Sequence, residues 1–184
     1  MENGASTRGQ ELAYDLEGAR LIYEGLKEAG INFVCFLPDS WNREVVRNVT
    51  SDSSIRCVPV SREDEGMAVA MGAYMGGKKP CMIMEGSGWG MCGLVLVRPG
   101  MIQRMPLLII SSHTSSFGEQ SYSHAESRMV IEPIIRALGI PYSIITRLED
   151  AKRLIREAEV MVEGQTFPAA VIIPRHIYFK DRGR

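Results

Sequence analysis

Short apolar runs and amphipathic stretches alternate along the chain. The runs Phe33–Leu37, Arg56–Val60, Cys81–Glu85, Leu107–Ser111, Tyr142–Ile145 and Ala169–Ile173 are mostly β-rich and continuous rather than alternating. That is the pattern of strands covered on both faces. Between them, apolar residues recur at helical spacing. Leu12–Ala29 carries Leu16, Ala19, Leu21, Ile22 and Leu26 and closes at Gly30, a common helix stop. Trp41–Val49, Glu65–Gly76, Met91–Arg98, Arg128–Leu138 and Leu148–Val162, the last followed by Gly164, complete the series. Six strands alternating with helices through short links predict an α/β fold, a three-layer α/β/α domain around a six-stranded parallel sheet. Residues 1–184 read as one domain, with 1–10 a flexible N-terminus and 177–184 a flexible tail.

Composition narrows the function. The 184 residues are 45% hydrophobic and 23% charged, with a net charge of -1. Near-neutrality gives no electrostatic case for nucleic acid or for an anionic membrane surface. No apolar run approaches the roughly 20 residues that a membrane span needs, and residues 1–10 lack the apolar core of a signal peptide. Cys35, Cys57, Cys81 and Cys92 form no CxxC pair, and three of them lie inside apolar runs. Such thiols behave as small hydrophobes, which predicts a reduced, cytoplasmic protein.

Ligands of open α/β sheets bind outside the carboxyl ends of the strands, so the loops there carry the candidate chemistry. In Leu37–Asn42, Asp39 or Ser40 can cap a helix, or the same free amides and hydroxyl can face an anion. The acids Glu63, Asp64 and Glu65 stop at Gly66, and a small-residue helix with Ala68, Ala70, Gly72 and Ala73 follows. A solvated acidic helix start is one reading. A tightly packed face is the other; it would push at least one carboxyl group into a closed environment, raise its pKa and fit it for proton chemistry. Glu85–Gly90 holds three glycines but lacks the Lys-Ser/Thr of a P-loop and the GxGxxG spacing, so its glycines predict close backbone approach to a flat ligand or a partner. The polar stretch 112–127 contains His113 and His124; His176 follows the last strand. No His/Cys/acid spacing marks a metal site, and no Ser-His-Asp order stands out.

Leu37-Pro38-Asp39-Ser40, Arg62-Glu63-Asp64-Glu65-Gly66 through Gly72-Ala73-Tyr74, Gly77-Lys78-Lys79-Pro80, Ser87-Gly88-Trp89-Gly90 and Ser112-His113 form an ordered set across four loops. Together, from about Leu16 to Ile173, the chain resembles the pyrimidine-binding domain of thiamine diphosphate enzymes, the sulfopyruvate and phosphonopyruvate decarboxylases most of all. The resemblance implies a lyase: one subunit of a split, thiamine diphosphate-dependent 2-oxo acid decarboxylase, holding the aminopyrimidine end of the cofactor. It implies a carboxylate on pyrimidine N1′. Counting back ten residues from Tyr74 places Asp64 there, where the family has Glu, with Glu65 second and Glu63 also possible. Pro38, Gly86, Ser87 and Gly88 would complete the cofactor contacts. His113 would be a general acid or orient the substrate carboxylate, with Asp39, Ser40 and Gln120 as further substrate contacts.

The family also needs a Gly-Asp-Gly motif and a downstream Asn for diphosphate and Mg2+, and Gly-Asp-Gly is absent here. The resemblance therefore implies a diphosphate-binding beta subunit that carries them, and a hetero-oligomer. A sulfonate or phosphonate on the substrate would want a cation; Arg43 or the partner would supply it, or the 2-oxo acid is less charged. A carboligase subunit, or a non-catalytic binding or regulatory module in which Asp64 replaces the glutamate, are the alternatives.

Overall fold

The computed structural model describes residues 13–180. Six strands, β1 (Phe33–Phe36), β2 (Arg56–Pro59), β3 (Pro80–Met84), β4 (Leu108–His113), β5 (Tyr142–Ile144) and β6 (Ala169–Pro174), pair in parallel in the order β2-β1-β3-β4-β6-β5. Side chains alternate across the sheet. Val34, Phe36, Cys81, Ile83, Ile110 and Val171 pack under α1 (Leu16–Glu28), α2 (Arg43–Thr50) and α6 (Ala151–Gln165). Cys35, Met82, Met84, Ile109 and Ile172 pack under α3 (Glu63–Met75), the stretch 86–102 and α5 (Ser127–Ala137). The three-layer α/β/α fold with a six-stranded parallel sheet is the one predicted.

Several boundaries differ for local reasons. Strand β2 lies at the sheet edge and is not covered on both faces, with Arg56 and Pro59 exposed. The helix expected over 91–98 is instead a 3-10 segment (Gly86–Met91), one α-helical turn, α4 (Gly93–Val95), and a widened π-helical stretch (Leu96–Ile102) containing Pro99. A proline supplies no N–H to the α-helical ladder, which accounts for the irregular winding. Helix α6 runs through Gly164, and Thr166 takes the left-handed cap at φ 47°. No helix among the described residues is long and apolar enough to cross a membrane.

The tail expected to be flexible from residue 177 is packed as far as the structure describes it. After a short helix, α7 (Arg175–Tyr178), the residues Ile177, Tyr178 and Phe179 are each only 2% exposed. Phe179 lies edge-on to Trp41 at 5.2 Å, and a bridge joins it to Tyr14. Three large apolar side chains in five residues were the sequence signal. Residues 1–10 and 181–184, the rest of the expected flexible ends, lie outside the described residues.

Candidate active site

The chain reaches β2 on one side of β1 and β3 on the other, so the strand order reverses between β1 and β3. A parallel sheet leaves a crevice outside its carboxyl ends at such a reversal. Here the crevice is bordered by Leu37–Asn42, by Glu85–Gly88 and by the start of α3.

Asn42 forms its floor. Asp39 Oδ1 accepts the backbone N–H groups of Trp41 at 2.7 Å and Asn42 at 2.8 Å, and Oδ2 accepts from Asn42 Nδ2 at 2.7 Å. The same Nδ2 donates to the Met84 carbonyl at 3.1 Å, and the Tyr178 hydroxyl donates to Asn42 Oδ1. A fully buried amide thereby ties together the ends of β1 and β3 and the C-terminal segment. Asp39 caps the turn, one of the two roles open to it. Burial pushes its carboxyl pKa up, and the hydrogen bonds from Asn42 and Trp41 act in the opposite sense. Ser40 is exposed and its carbonyl accepts from the Tyr14 hydroxyl at 2.8 Å; Pro38 and Gln120 are exposed as well.

Helix α3 begins at Glu63, two residues before the expected Glu65 start, because Arg62 is extended (φ -149°, ψ 147°) and Glu65 reaches back to accept the Ser61 N–H at 3.2 Å. Successive helical residues point about 100° apart, so three adjacent acids cannot share an environment. Glu63 is the enclosed one, 5% exposed. A Cβ on Gly88 would stand 2.5 Å from its Cγ and 2.7 Å from its Cδ. Asp64 and Glu65 are held by Arg62 and Ser61, whereas Glu63 makes no hydrogen bond or ion pair with any described residue.

Asp64 is therefore not the enclosed carboxylate that the count from Tyr74 selected. It faces outward, and the Arg62 guanidinium holds its pKa below the usual carboxylate range. With Glu65 it lines an open groove of about 390 Å³ beside Met91, Leu94 and Arg98. The signal for Glu63 was the helical register: Gly66, Met67 and Ala70 lie three, four and seven residues on and are buried with it.

Two further groups complete the crevice. Burial pushes the Glu85 carboxyl pKa up; the charge of His124 opposes that, and Asp39 and Glu63 reinforce it. Ser87 Oγ donates to Glu85 Oε1 at 3.2 Å. His124 lies edge-on to Trp41 at 6.0 Å, with Nδ1 3.4 Å from Glu119 Oε1. Asp39, Glu63, Glu85 and His124 thus converge. Glu85 stands just after the end of β3, directly before Gly86-Ser87-Gly88, where the glycines are the dominant sequence signal.

His113 ends β4 rather than opening a loop, and turns toward α5, its Nε2 3.5 Å from Glu132 Oε1 and its Nδ1 buried without a partner among the described residues. The small size of Gly86 and Gly88 is used inside the protein. A Cβ on Gly86 would meet Ile131 Cδ1 at 2.4 Å and the Ser112 carbonyl oxygen at 2.5 Å.

A family model for the thiamine pyrophosphate enzyme, N-terminal TPP binding domain, matches residues 16–130, which include every loop of this crevice. The chain belongs to that family. Among its relatives, the sulfopyruvate decarboxylase subunit alpha of Methanococcus maripaludis is 26% identical over 167 residues, 91% of this chain and all of that protein. The subunit of the same name from Methanothermobacter thermautotrophicus is 33% identical over 142 residues, 77% of this chain and 86% of the relative. The phosphonopyruvate decarboxylase of Streptomyces hygroscopicus is 32% identical over 158 residues, 83% of this chain but 39% of that protein. A 2-oxoglutarate:ferredoxin oxidoreductase from Magnetococcus marinus shares the fold, with a TM-score of 0.67 at 17% identity over 96% of this chain and 32% of its own.

The residues fit the pyrimidine half of thiamine diphosphate. An enclosed carboxylate with no partner among the described residues stands at the N-terminal turn of α3, where the missing Cβ of Gly88 leaves it room. No group of three His, Cys, Asp or Glu among the described residues could hold a metal ion.

Proposed function

We propose that this chain is the pyrimidine-side subunit of a split thiamine diphosphate-dependent 2-oxo acid decarboxylase. The enclosed, unpaired Glu63 is the observation that carries the reading. The non-catalytic alternative rested on a lost glutamate, and Glu63 removes that ground. The relatives' naming as alpha subunits supports a partner, to which we assign the diphosphate and Mg2+.

Bound thiamine diphosphate supplies the electron sink that lets a 2-oxo acid lose CO2. Glu63 holds the aminopyrimidine at its ring N1′ and exchanges a proton there. Asn42, through Asp39 and the Met84 carbonyl, fixes the crevice floor. Glu85, whose pKa burial raises, stands with His124 as the proton donor we assign to the carbon that CO2 leaves, while Asp39 keeps its cap on Trp41 and Asn42. The apolar groove between α3 and residues 91–99, with Leu94 69% exposed, is the surface we assign to the partner.

The test is CO2 release from sulfopyruvate by the chain with its co-purified partner. Glu63→Gln should lower kcat by about 10²-fold or more, in the range general acid–base groups contribute, and Asp64→Asn should change it little. An active Glu63→Gln enzyme beside an inactive Asp64→Asn enzyme would overturn the assignment.

A further inference from the structure

Four arginines stand on or beside the loops that follow β1, β2, β5 and β6: Arg43, Arg62, Arg147 and Arg175. Three are occupied. Arg43 pairs with Glu44 at 3.1 Å and stacks on Tyr14, Arg62 pairs with Asp64 at 3.0 Å, and Arg147 pairs with Glu149. Arg175 makes no ion pair with any described residue. Its backbone N–H donates to Ser116 Oγ at 2.9 Å, and its guanidinium carbon lies 5.3 Å from the centre of the Phe179 ring. A Cβ on Gly118 would stand 3.7 Å from Arg175 Cδ, ordinary van der Waals contact, so the 118 turn lies against the arginine stem.

This half-buried cation belongs to the crevice end of the molecule. Pro174, its neighbour, pairs in register with His113 across β4 and β6. A chain of aromatic contacts runs from Phe179 to Trp41 at 5.2 Å and from Trp41 to His124 at 6.0 Å. A guanidinium stacked on a ring and backed by a turn is pre-organised, and its planar fork matches an oxyanion with two adjacent oxygens. A carboxylate placed near it would have quenched it; none lies within ion-pair distance among the described residues.

We infer that Arg175 is a specificity-determining residue that binds the second anionic group of the substrate, so that the site takes 2-oxo acids carrying a sulfonate, phosphonate or carboxylate on carbon 3. This rests on the decarboxylase reading of the same site. Arg43, one of the sources that the sequence left open, is engaged with Glu44 and Tyr14.

The test uses the complex with its partner and the variants Arg175→Met and Arg175→Lys, with circular dichroism to verify folding. Arg175→Met should raise KM for sulfopyruvate tenfold or more and leave kcat/KM for pyruvate within twofold; Arg175→Lys should fall between. In calorimetry, the unreactive dianion sulfoacetate should bind wild type and lose that binding in Arg175→Met. Equal losses on sulfopyruvate and pyruvate, or equal sulfoacetate titrations of the two proteins, would overturn the assignment. Should wild type decarboxylate neither acid, the decarboxylase reading falls, and the sulfoacetate titration alone decides whether Arg175 is an anion site.

Discussion

Gly88 presses on Glu63: the Cβ that any other residue would place at position 88 falls 2.5 Å from Glu63 Cγ and 2.8 Å from Oε1. A glycine two positions into a 3-10 turn therefore sets where the carboxyl group of the first residue of α3 can be.

Gly88→Ala should consequently act on chemistry more than on folding. The methyl must displace the carboxylate, an overpacking cost of about 1–3 kcal/mol, and a misplaced proton-transfer group costs rate steeply. Decarboxylation by the complex should fall at least tenfold, with the urea midpoint lowered by no more than that cost accounts for. Unchanged turnover would mean that Glu63 has room to move and that its position is not set by Gly88.

The sheet was legible because strand signals are local. Each run of β-rich residues marked a strand to within two residues at either end, whereas the strand order β2-β1-β3-β4-β6-β5 depends on long-range pairing. The site was harder to read for a geometric reason. Choosing among Glu63, Asp64 and Glu65 depends on helical phase, and a count from Tyr74 is off by a full 100° for each residue of error. The burial of Gly66, Met67 and Ala70 fixes that phase without any count. Convergence of Glu85 with His124, 39 positions apart in sequence, had no local signal at all.

Phe179 tests the packed C-terminal segment. It is 2% exposed and has ring contacts with Tyr14, Trp41 and Tyr178. Phe179→Ala removes a buried aromatic from a rigid cluster, and we expect a loss of about 3–5 kcal/mol in urea unfolding. A loss below about 1 kcal/mol, the size typical of surface substitutions or less, would restore the flexible tail.

Trp89 and Ser111 supply a buried polar pair that joins the 86–91 turn to β4. The indole N–H donates to Ser111 Oγ at 3.0 Å, and both residues are sealed from solvent. Ser111→Ala leaves the donor unsatisfied and should destabilise by about 1–3 kcal/mol. Trp89 fluorescence should also shift, which Trp41→Phe as a background would isolate. An unaltered unfolding midpoint would show that the indole finds another acceptor.

Glu159 gives the stability of this protein a pH dependence opposite to that of most surface acids. It is 3% exposed, its Oε2 has no hydrogen-bond partner among the described residues, and Lys79 Nζ stands 3.4 Å from Oε1. Burial pushes its pKa up to about 7, with the Lys79 charge acting against the rise. The groups facing it are Lys79 and Glu163; Lys79 keeps its closer ion pair with Glu163 at 2.8 Å. Between the ordinary carboxyl value of 4.5 and about 7, the folded state holds a proton that the unfolded state has released. Stability therefore falls as pH rises through that window and is level above it. Glu159→Gln removes the titration and keeps the shape. Relative to wild type, the variant should gain on the order of 3 kcal/mol in unfolding free energy between pH 4.5 and pH 8, since each pKa unit is worth about 1.4 kcal/mol and the rise to about 7 already includes the Lys79 charge. Urea melts of both proteins at the two pH values measure this directly; parallel changes would mean that Glu159 is ionised throughout and that Lys79 fully compensates its burial.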